Sequence, residues 1–115
     1  MGHERELVKG STQTLILAVL RDRPLHGYAI AREIAERTDD LLRFGEGTLY
    51  PALHGLEREG LIAGRWDDTE PGAARKVYSL TERGTTELAR RTASWRSFVG
   101  SVEKVIGGIP DAQSM

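Results

Sequence analysis

The sequence predicts a mainly α-helical fold with one small β-hairpin and a long C-terminal helix. Apolar residues recur at helical spacing in three segments before residue 60, and two short strand-like segments follow between residues 61 and 80. A heptad-like apolar pattern then begins at Leu88. The 115 residues favour one folded unit, and 39% hydrophobic with 29% charged residues is typical of a globular protein.

The first two helices are predicted from short apolar stretches with polar ends. Ser11 is the expected N-cap of the first helix, residues 15–20 supply its apolar side chains, and residues 21–24 end it. The second helix is expected over residues 28–38, because its isoleucines and alanines share one face. The two aspartates at 39 and 40 close it.

The third helix has two possible starts, and the sequence leaves both open. With Thr48 as its cap, Pro51 falls in the first turn, where the missing N–H costs little. With a start near Gly45, Pro51 falls in the interior and implies a kink. Gly60 is a good terminator. The apolar positions of this helix, spaced by four and three, are Leu49, Leu53 and Leu56.

A β-hairpin is expected after this helix. Residues 61–66 form its first strand, and residues 67–74 form a polar loop in which Pro71-Gly72 indicates a turn. Residues 75–80 alternate polar and apolar side chains, as a half-buried strand does.

A long helix is expected to follow the hairpin, with Thr81 as its cap. Gly84 is expected to be a mild defect of about 1 kcal/mol relative to alanine. Phe98 and Val105 widen an apolar seam that ends near Gly107. The seam itself alternates spacings of four and three along Leu88, Thr92, Trp95, Val99, Val102, Ile106 and Ile109.

This apolar seam is wider than the rest of so small a chain can cover. It therefore predicts a two-fold contact with a second copy of the chain. The alternative is that the helix folds back and belongs to the core of the single chain.

The predicted organisation is a DNA-binding part over residues 1–80, a dimerisation helix over 81–110 and a disordered tail over 111–115.

Composition excludes several classes of protein. The chain has no cysteine, so it has neither a disulfide framework nor a thiolate metal site. No apolar run approaches the roughly 18 residues of a membrane span, and no secretory leader is visible. A cytoplasmic protein that requires no metal or other cofactor is therefore expected.

The net charge of −1 argues mildly against nucleic acid, but the charges are unevenly distributed. Between residues 75 and 96 there are six basic and two acidic residues, which follow an acidic group at 67, 68 and 70. The arginines of this segment fit either a solvated helix face or a contact with a polyanion.

Three helices followed by a hairpin and a long helix make a winged helix-turn-helix, with the hairpin as the wing. In such folds the third helix enters the major groove of double-stranded DNA. Its polar side chains at Thr48, Tyr50 and His54 can bond phosphates or base edges, although Tyr50 equally fits a packing edge. Arg75 and Lys76 at the wing stem supply positive charge for the DNA backbone.

Enzymatic function finds no support in the sequence. The three histidines lack metal-ligand spacing, and no nucleophile elbow or phosphate-binding glycine loop is present. A winged helix used only for protein–protein contact is the remaining alternative, and the near-neutral charge favours it.

Four stretches resemble the PadR family of transcriptional regulators. They are Leu-His-Gly-Tyr at 25–28, Glu-Gly-Thr-Leu-Tyr-Pro-Ala-Leu at 46–53, Leu-Glu-Arg-Glu-Gly-Leu-Ile at 56–62 and Arg-Lys-Val-Tyr-Ser-Leu-Thr-Glu-Arg-Gly at 75–84. The second stretch is the most specific. The resemblance runs from about residue 7 to 109, and the short last helix is similar to the small PadR subfamily.

The resemblance implies a homodimeric repressor that an effector releases from its operator. It implies DNA contacts by Thr48, Tyr50 and His54 and by the wing stem. It also implies that Trp95, with Phe98 beside it, faces the dimer mate and binds a small aromatic or planar effector. Trp95 equally fits a dimer core that meets no ligand. The wing departs from the family's glycine- and arginine-rich pattern, which favours the stem over the tip as the contact.

Overall fold

The computed structural model describes residues 2–69 and 75–107, with the side chains from Gly10 onward. Its elements are α1 (Gly2–Asp22), β1 (Leu25–His26), α2 (Gly27–Arg37), α3 (Glu46–Arg58), β2 (Ile62–Asp67), β3 (Arg75–Leu80) and α4 (Glu82–Ile106). The predicted mainly α fold, with a hairpin followed by a long helix, is therefore confirmed. The turn at Pro71-Gly72, Ile109 and the tail 111–115 lie outside the described residues.

Helix α1 is longer than the sequence suggested. It begins at Gly2, so Ser11 lies in its interior and the prediction of Ser11 as a cap is wrong. The residues before Ser11 include glutamates, a leucine and a lysine, which are strong helix formers, so a helix can continue through this segment. The second half of α1 enters the core, where Ile16 and Leu17 are completely buried.

Helix α2 begins and ends one residue earlier than predicted. The chain leaves it through Asp39 and Asp40, whose φ angles of 52° and 65° are left-handed. Aspartate is among the few non-glycine residues that accept this conformation. The two aspartates therefore close α2, as the sequence indicated, and turn the chain towards α3.

The sheet contains three strands in the order β1-β3-β2, all antiparallel. Strand β1 pairs Leu25 with Tyr78 and His26 with Val77. The sequence predicted a connector for this segment, because two residues cannot display an alternating pattern. Since α2 begins directly after His26, β1 attaches the start of α2 to the hairpin strand β3.

The core lies between the helices and one face of the sheet. All four helices and the two hairpin strands contribute to it. Its completely or almost completely buried side chains include Ile16, Leu17, Ile30, Ile34, Leu53, Leu56, Ile62, Tyr78 and Leu88. The leucines predicted for α3 are all buried, which confirms the apolar face assigned to that helix.

The start of α4 packs tightly against the short connection between α3 and β2. The Thr81 hydroxyl accepts a hydrogen bond from the Gly84 amide at 2.9 Å, which confirms Thr81 as the cap, and donates one to the Gly60 carbonyl at 2.7 Å. Gly84 is buried, and a Cβ there would clash with the carbonyl oxygen of Leu61. The prediction of Gly84 as a mild helix defect is therefore wrong, because the close contact requires glycine.

Candidate DNA-binding surface

Helix α3 starts at the earlier of its two candidate positions. Gly45 is the N-cap, and its carbonyl accepts a hydrogen bond from the Leu49 amide at 2.9 Å. Thr48 is therefore not the cap but a residue of the first turn. Pro51 lies inside the helix, where its missing N–H leaves the Gly47 carbonyl without the usual intrahelical partner.

The predicted contact residues of α3 all remain accessible to solvent. Thr48 and His54 are exposed, and Tyr50 is 37% exposed. The intervening residues Leu49 and Leu53 are buried and fix the rotation of the helix. The structure thus leaves these three polar side chains accessible on one element.

Tyr50 has a structural contact in addition to its exposure. A Cβ placed on Gly27 would lie 3.2 Å from Cε1 and 3.3 Å from the hydroxyl of Tyr50, so the ring rests directly on the start of α2. The packing role foreseen as an alternative is therefore present, while part of the ring remains open to a ligand.

The two basic residues of the wing stem differ in availability. Lys76 Nζ donates to Glu57 Oε1 of α3 at 2.9 Å and lies 5.5 Å from the centre of the Tyr78 ring. The hydrogen bond to Glu57 raises the pKa of Lys76. Arg75 is exposed and has no ion pair with any described residue. Arg75 is consequently the freer of the two cations.

Tyr28, the second residue of α2, was not among the predicted contact residues. Its side chain is 73% exposed, and the Arg32 guanidinium lies 5.7 Å from its ring centre. The N-cap of α2, His26, makes no side-chain hydrogen bond to the first turn, which leaves the first amides of the helix uncapped by a side chain. Tyr28 does not share the apolar face of Ile30 and Ile34. This position on the helix could have shown from the sequence that its ring is exposed.

Helix α4 changes character along its length. Leu88, placed in the predicted seam, is only 3% exposed and belongs to the core of the single chain. Thr92 and Val99 are half-buried. Trp95 and Phe98 are 54% and 55% exposed, with ring centres 6.2 Å apart. Exposed apolar side chains continue along Val102, Val105 and Ile106.

Arg91 connects α4 to α1 and to the end of α3. Its guanidinium donates to Glu87 at 2.6 Å and to Gln13 of α1 at 2.9 Å, and lies 4.0 Å from Glu59. Hydrogen bonds from Arg90 and Arg91 lower the pKa of Glu87 to about 2. This cluster lies one helical turn before Trp95 and ties α4 to α1.

In the described part of the chain, no group of three histidine or acidic side chains is arranged to hold a metal ion. Within residues 2–69 and 75–107, no helix combines the length and apolar character needed to cross a membrane.

The family model of the transcriptional regulator PadR-like family matches residues 16–90. The chain belongs to this family. Transcriptional regulator Rv3488 of Mycobacterium tuberculosis is 32% identical over 104 residues, which cover 90% of this chain and 91% of that protein. PadR-like proteins are regulators of transcription, which agrees with the prediction that the chain is not an enzyme.

Solved structures of PadR proteins are similar in fold. A PadR family regulator from Eggerthella lenta has a TM-score of 0.77 and 31% identity, covering 91% of this chain and 89% of its own. Bacillus subtilis PadR in complex with operator DNA has a TM-score of 0.62 and 31% identity, covering 68% of this chain and 44% of its own. The winged-helix prediction and the resemblance to PadR are both confirmed.

Proposed function

We propose that this PadR-like chain is a repressor that binds a palindromic operator as a homodimer and responds to a small effector. The main support is the exposure of Thr48 and His54 on α3, the helix whose Glu57 binds Lys76 of the hairpin. In winged-helix proteins this helix reads the major groove, and the B. subtilis relative was crystallised with operator DNA. Such a regulator acts where the chromosome lies, so we place it in the cytoplasm.

The proposed DNA contacts are made by the polar and charged groups that are not already engaged within the chain. The Thr48 hydroxyl and the His54 imidazole reach base edges or phosphates, and the exposed edge of Tyr50 adds a second hydroxyl. Arg75 supplies the charge of the wing stem, whereas Lys76 contributes only when it leaves Glu57. Tyr28 lies at the start of α2, the part of a helix-turn-helix that meets the DNA backbone.

The test uses a fluorescent duplex from the region upstream of the chain's own gene, titrated at several salt concentrations. The affinity should fall steeply with salt, because neutralised phosphates release counterions. Thr48→Val and His54→Ala should each weaken binding about tenfold, as loss of a base contact costs ~1–3 kcal/mol. Thr85→Val, an exposed threonine of α4, is the matched control and should bind like the wild type.

Two outcomes would contradict DNA binding by α3. Equal affinities for Thr48→Val, His54→Ala and the control would remove α3 from the contact. Failure to bind any upstream duplex at low salt would instead favour a protein–protein module.

The proposed dimer rests on the C-terminal half of α4. Phe98, Val102, Val105 and Ile106 expose 55%, 38%, 86% and 65% of their surfaces, an apolar strip that a second α4 would cover. Light scattering should give twice the chain mass for the wild type. Val102→Glu should give the single-chain mass, whereas Lys104→Glu, which places the same carboxylate on another side of α4 and changes the net charge even more, should remain dimeric. A dimeric Val102→Glu variant would refute this interface.

The effector surface is proposed at the tilted pair Trp95 and Phe98, whose planes meet at 34°. Exposed aromatic faces attract flat ligands through stacking and cation–π contacts. With Trp66→Phe as background, Trp95 alone reports by fluorescence. Quenching by phenolic acids or planar cations would support the site, and no response across both panels would contradict it.

A further inference from the structure

Trp66 is an exposed tryptophan on the hairpin with no role in the core. It is one of two tryptophans in the chain and is 67% exposed on β2. Alternate residues of a strand share a face, so Trp66 shares its face with Gly64 and Ile62. Because Ile62 is 2% exposed in the core, the indole stands on the sheet face that packs on the helices, but beyond their cover.

The hairpin register turns this face towards α3. Trp66 pairs with Lys76 and Gly64 pairs with Tyr78 across the two strands. Lys76 extends over Gly64, where a Cβ would meet its methylene carbons, and donates to Glu57 of α3. Trp66 therefore continues the surface that begins with the exposed side chains of α3.

The charges around the indole suit a polyanion. Lys76, the cross-strand partner of Trp66, shares its face, and Arg65 and Arg75 are exposed at neighbouring positions on the opposite face of the hairpin. Of the two acids that follow the indole, Asp68 is exposed, and Asp67 is already occupied, since its carboxylate accepts the Thr69 amide at 3.1 Å and the Thr69 hydroxyl at 2.7 Å and lies 3.8 Å from His26. The hairpin therefore presents an apolar ring on one face and exposed guanidiniums on the other, which suits a groove whose walls both carry deoxyribose and phosphate.

We propose that Trp66 packs on the deoxyribose wall of the groove that the wing meets when α3 occupies the adjacent groove. This rests on the proposed function and adds to it a contact made by an apolar side chain. Proteins that meet the minor groove often place apolar side chains there. The contact is apolar and releases no counterion, so its effect on affinity is independent of salt.

The first experiment measures binding of a fluorescent duplex by anisotropy at several salt concentrations. Trp66→Ala should weaken binding about tenfold at every salt concentration, which equals about 1.4 kcal/mol. The slope of log affinity against log salt should not change. Arg75→Ala should instead lower that slope by about one, because it removes a phosphate contact. Ala63→Gly, which loosens the same strand on its other face, is the control and should bind normally.

The second experiment follows tryptophan emission while unlabelled duplex is added. Wild-type emission should be quenched or shifted to shorter wavelength, whereas Trp66→Phe, which keeps only Trp95, should show no change. Trp66→Phe retains an aromatic ring and folds if its circular dichroism matches the wild type. It should bind within about threefold of the wild type, because a smaller ring still packs on sugar.

The outcomes separate this inference from the proposed function. Normal DNA binding by Trp66→Ala, or an emission change that survives in Trp66→Phe, overturns the contact while leaving DNA binding intact. Emission that changes with protein concentration but not with DNA assigns the indole to a second copy of the chain and overturns it too. Absence of binding by the wild type at low salt refutes both proposals.

Discussion

Replacing Gly84 with alanine tests the contact between the start of α4 and the connection from α3 to β2. The new methyl group would clash with the Leu61 carbonyl oxygen and lie 3.0 Å from its carbon and 2.7 Å from Leu80 Cδ1. The Leu80 side chain can rotate away, but the Leu61 backbone cannot, because its carbonyl accepts the Thr81 amide at 3.1 Å. Overpacking costs up to ~3 kcal/mol, and the higher helix propensity of alanine offsets about 1 kcal/mol. The free energy of unfolding should therefore fall by about 2 kcal/mol.

Urea denaturation followed by circular dichroism measures this change. Thermal unfolding should show a midpoint lower by about 8 °C, at roughly 4 °C per kcal/mol for a domain of this size. The control is Gly10→Ala in α1, where the added methyl meets nothing within 4 Å, so that variant should gain about 0.5–1 kcal/mol. If Gly84→Ala is as stable as Gly10→Ala, α4 does not approach Leu61 as described.

Two further predictions concern charges. Glu57→Gln releases Lys76, so duplex binding should tighten at low salt and the slope of log affinity against log salt should steepen by about 0.9; an unchanged slope would mean that Lys76 does not reach DNA. The pKa of Glu87 is lowered from 4.5 to about 2, so its stabilisation is complete above pH 4.5 and is lost as pH falls towards 2. The thermal midpoint of Glu87→Gln should consequently fall less than that of the wild type across this window, whereas Glu82→Gln, an exposed acid of the same helix, should follow the wild type.

Sequence periodicity was sufficient for the elements with strong patterns. The leucines of α3, the strand β3 and the Thr81 cap all appear in the structure as predicted. The errors occurred where the same residue type fits two different local structures. A serine that can cap a helix also fits inside one, so Ser11 was misplaced. Strand β1 has only two residues, and its pairing with β3 spans some fifty residues of chain that no local pattern links.

The candidate surface was predicted only in part, for a similar reason. The polar side chains of α3 follow directly from its helical period. The ion pair between Lys76 and Glu57 joins residues 19 positions apart, so no local pattern shows that one wing cation is occupied. Likewise, Leu88 has the spacing of the seam, but its burial depends on where α1 lies.

The sheet order has a mechanical consequence for a dimer built on α4. Strand β1 joins the start of α2 to the hairpin, and Arg91 joins α4 to α1, so each body moves with its own α4. Trp95 lies 13 residues after the start of α4, which is about 20 Å along the helix. A change of about 10° in the angle between the two α4 helices at this point displaces a body by roughly 3 Å, close to the 3.4 Å rise of one base pair along a strand. A small ligand bound between the two α4 helices near Trp95 would thus move the two α3 helices away from the positions that match the two half-sites of the operator.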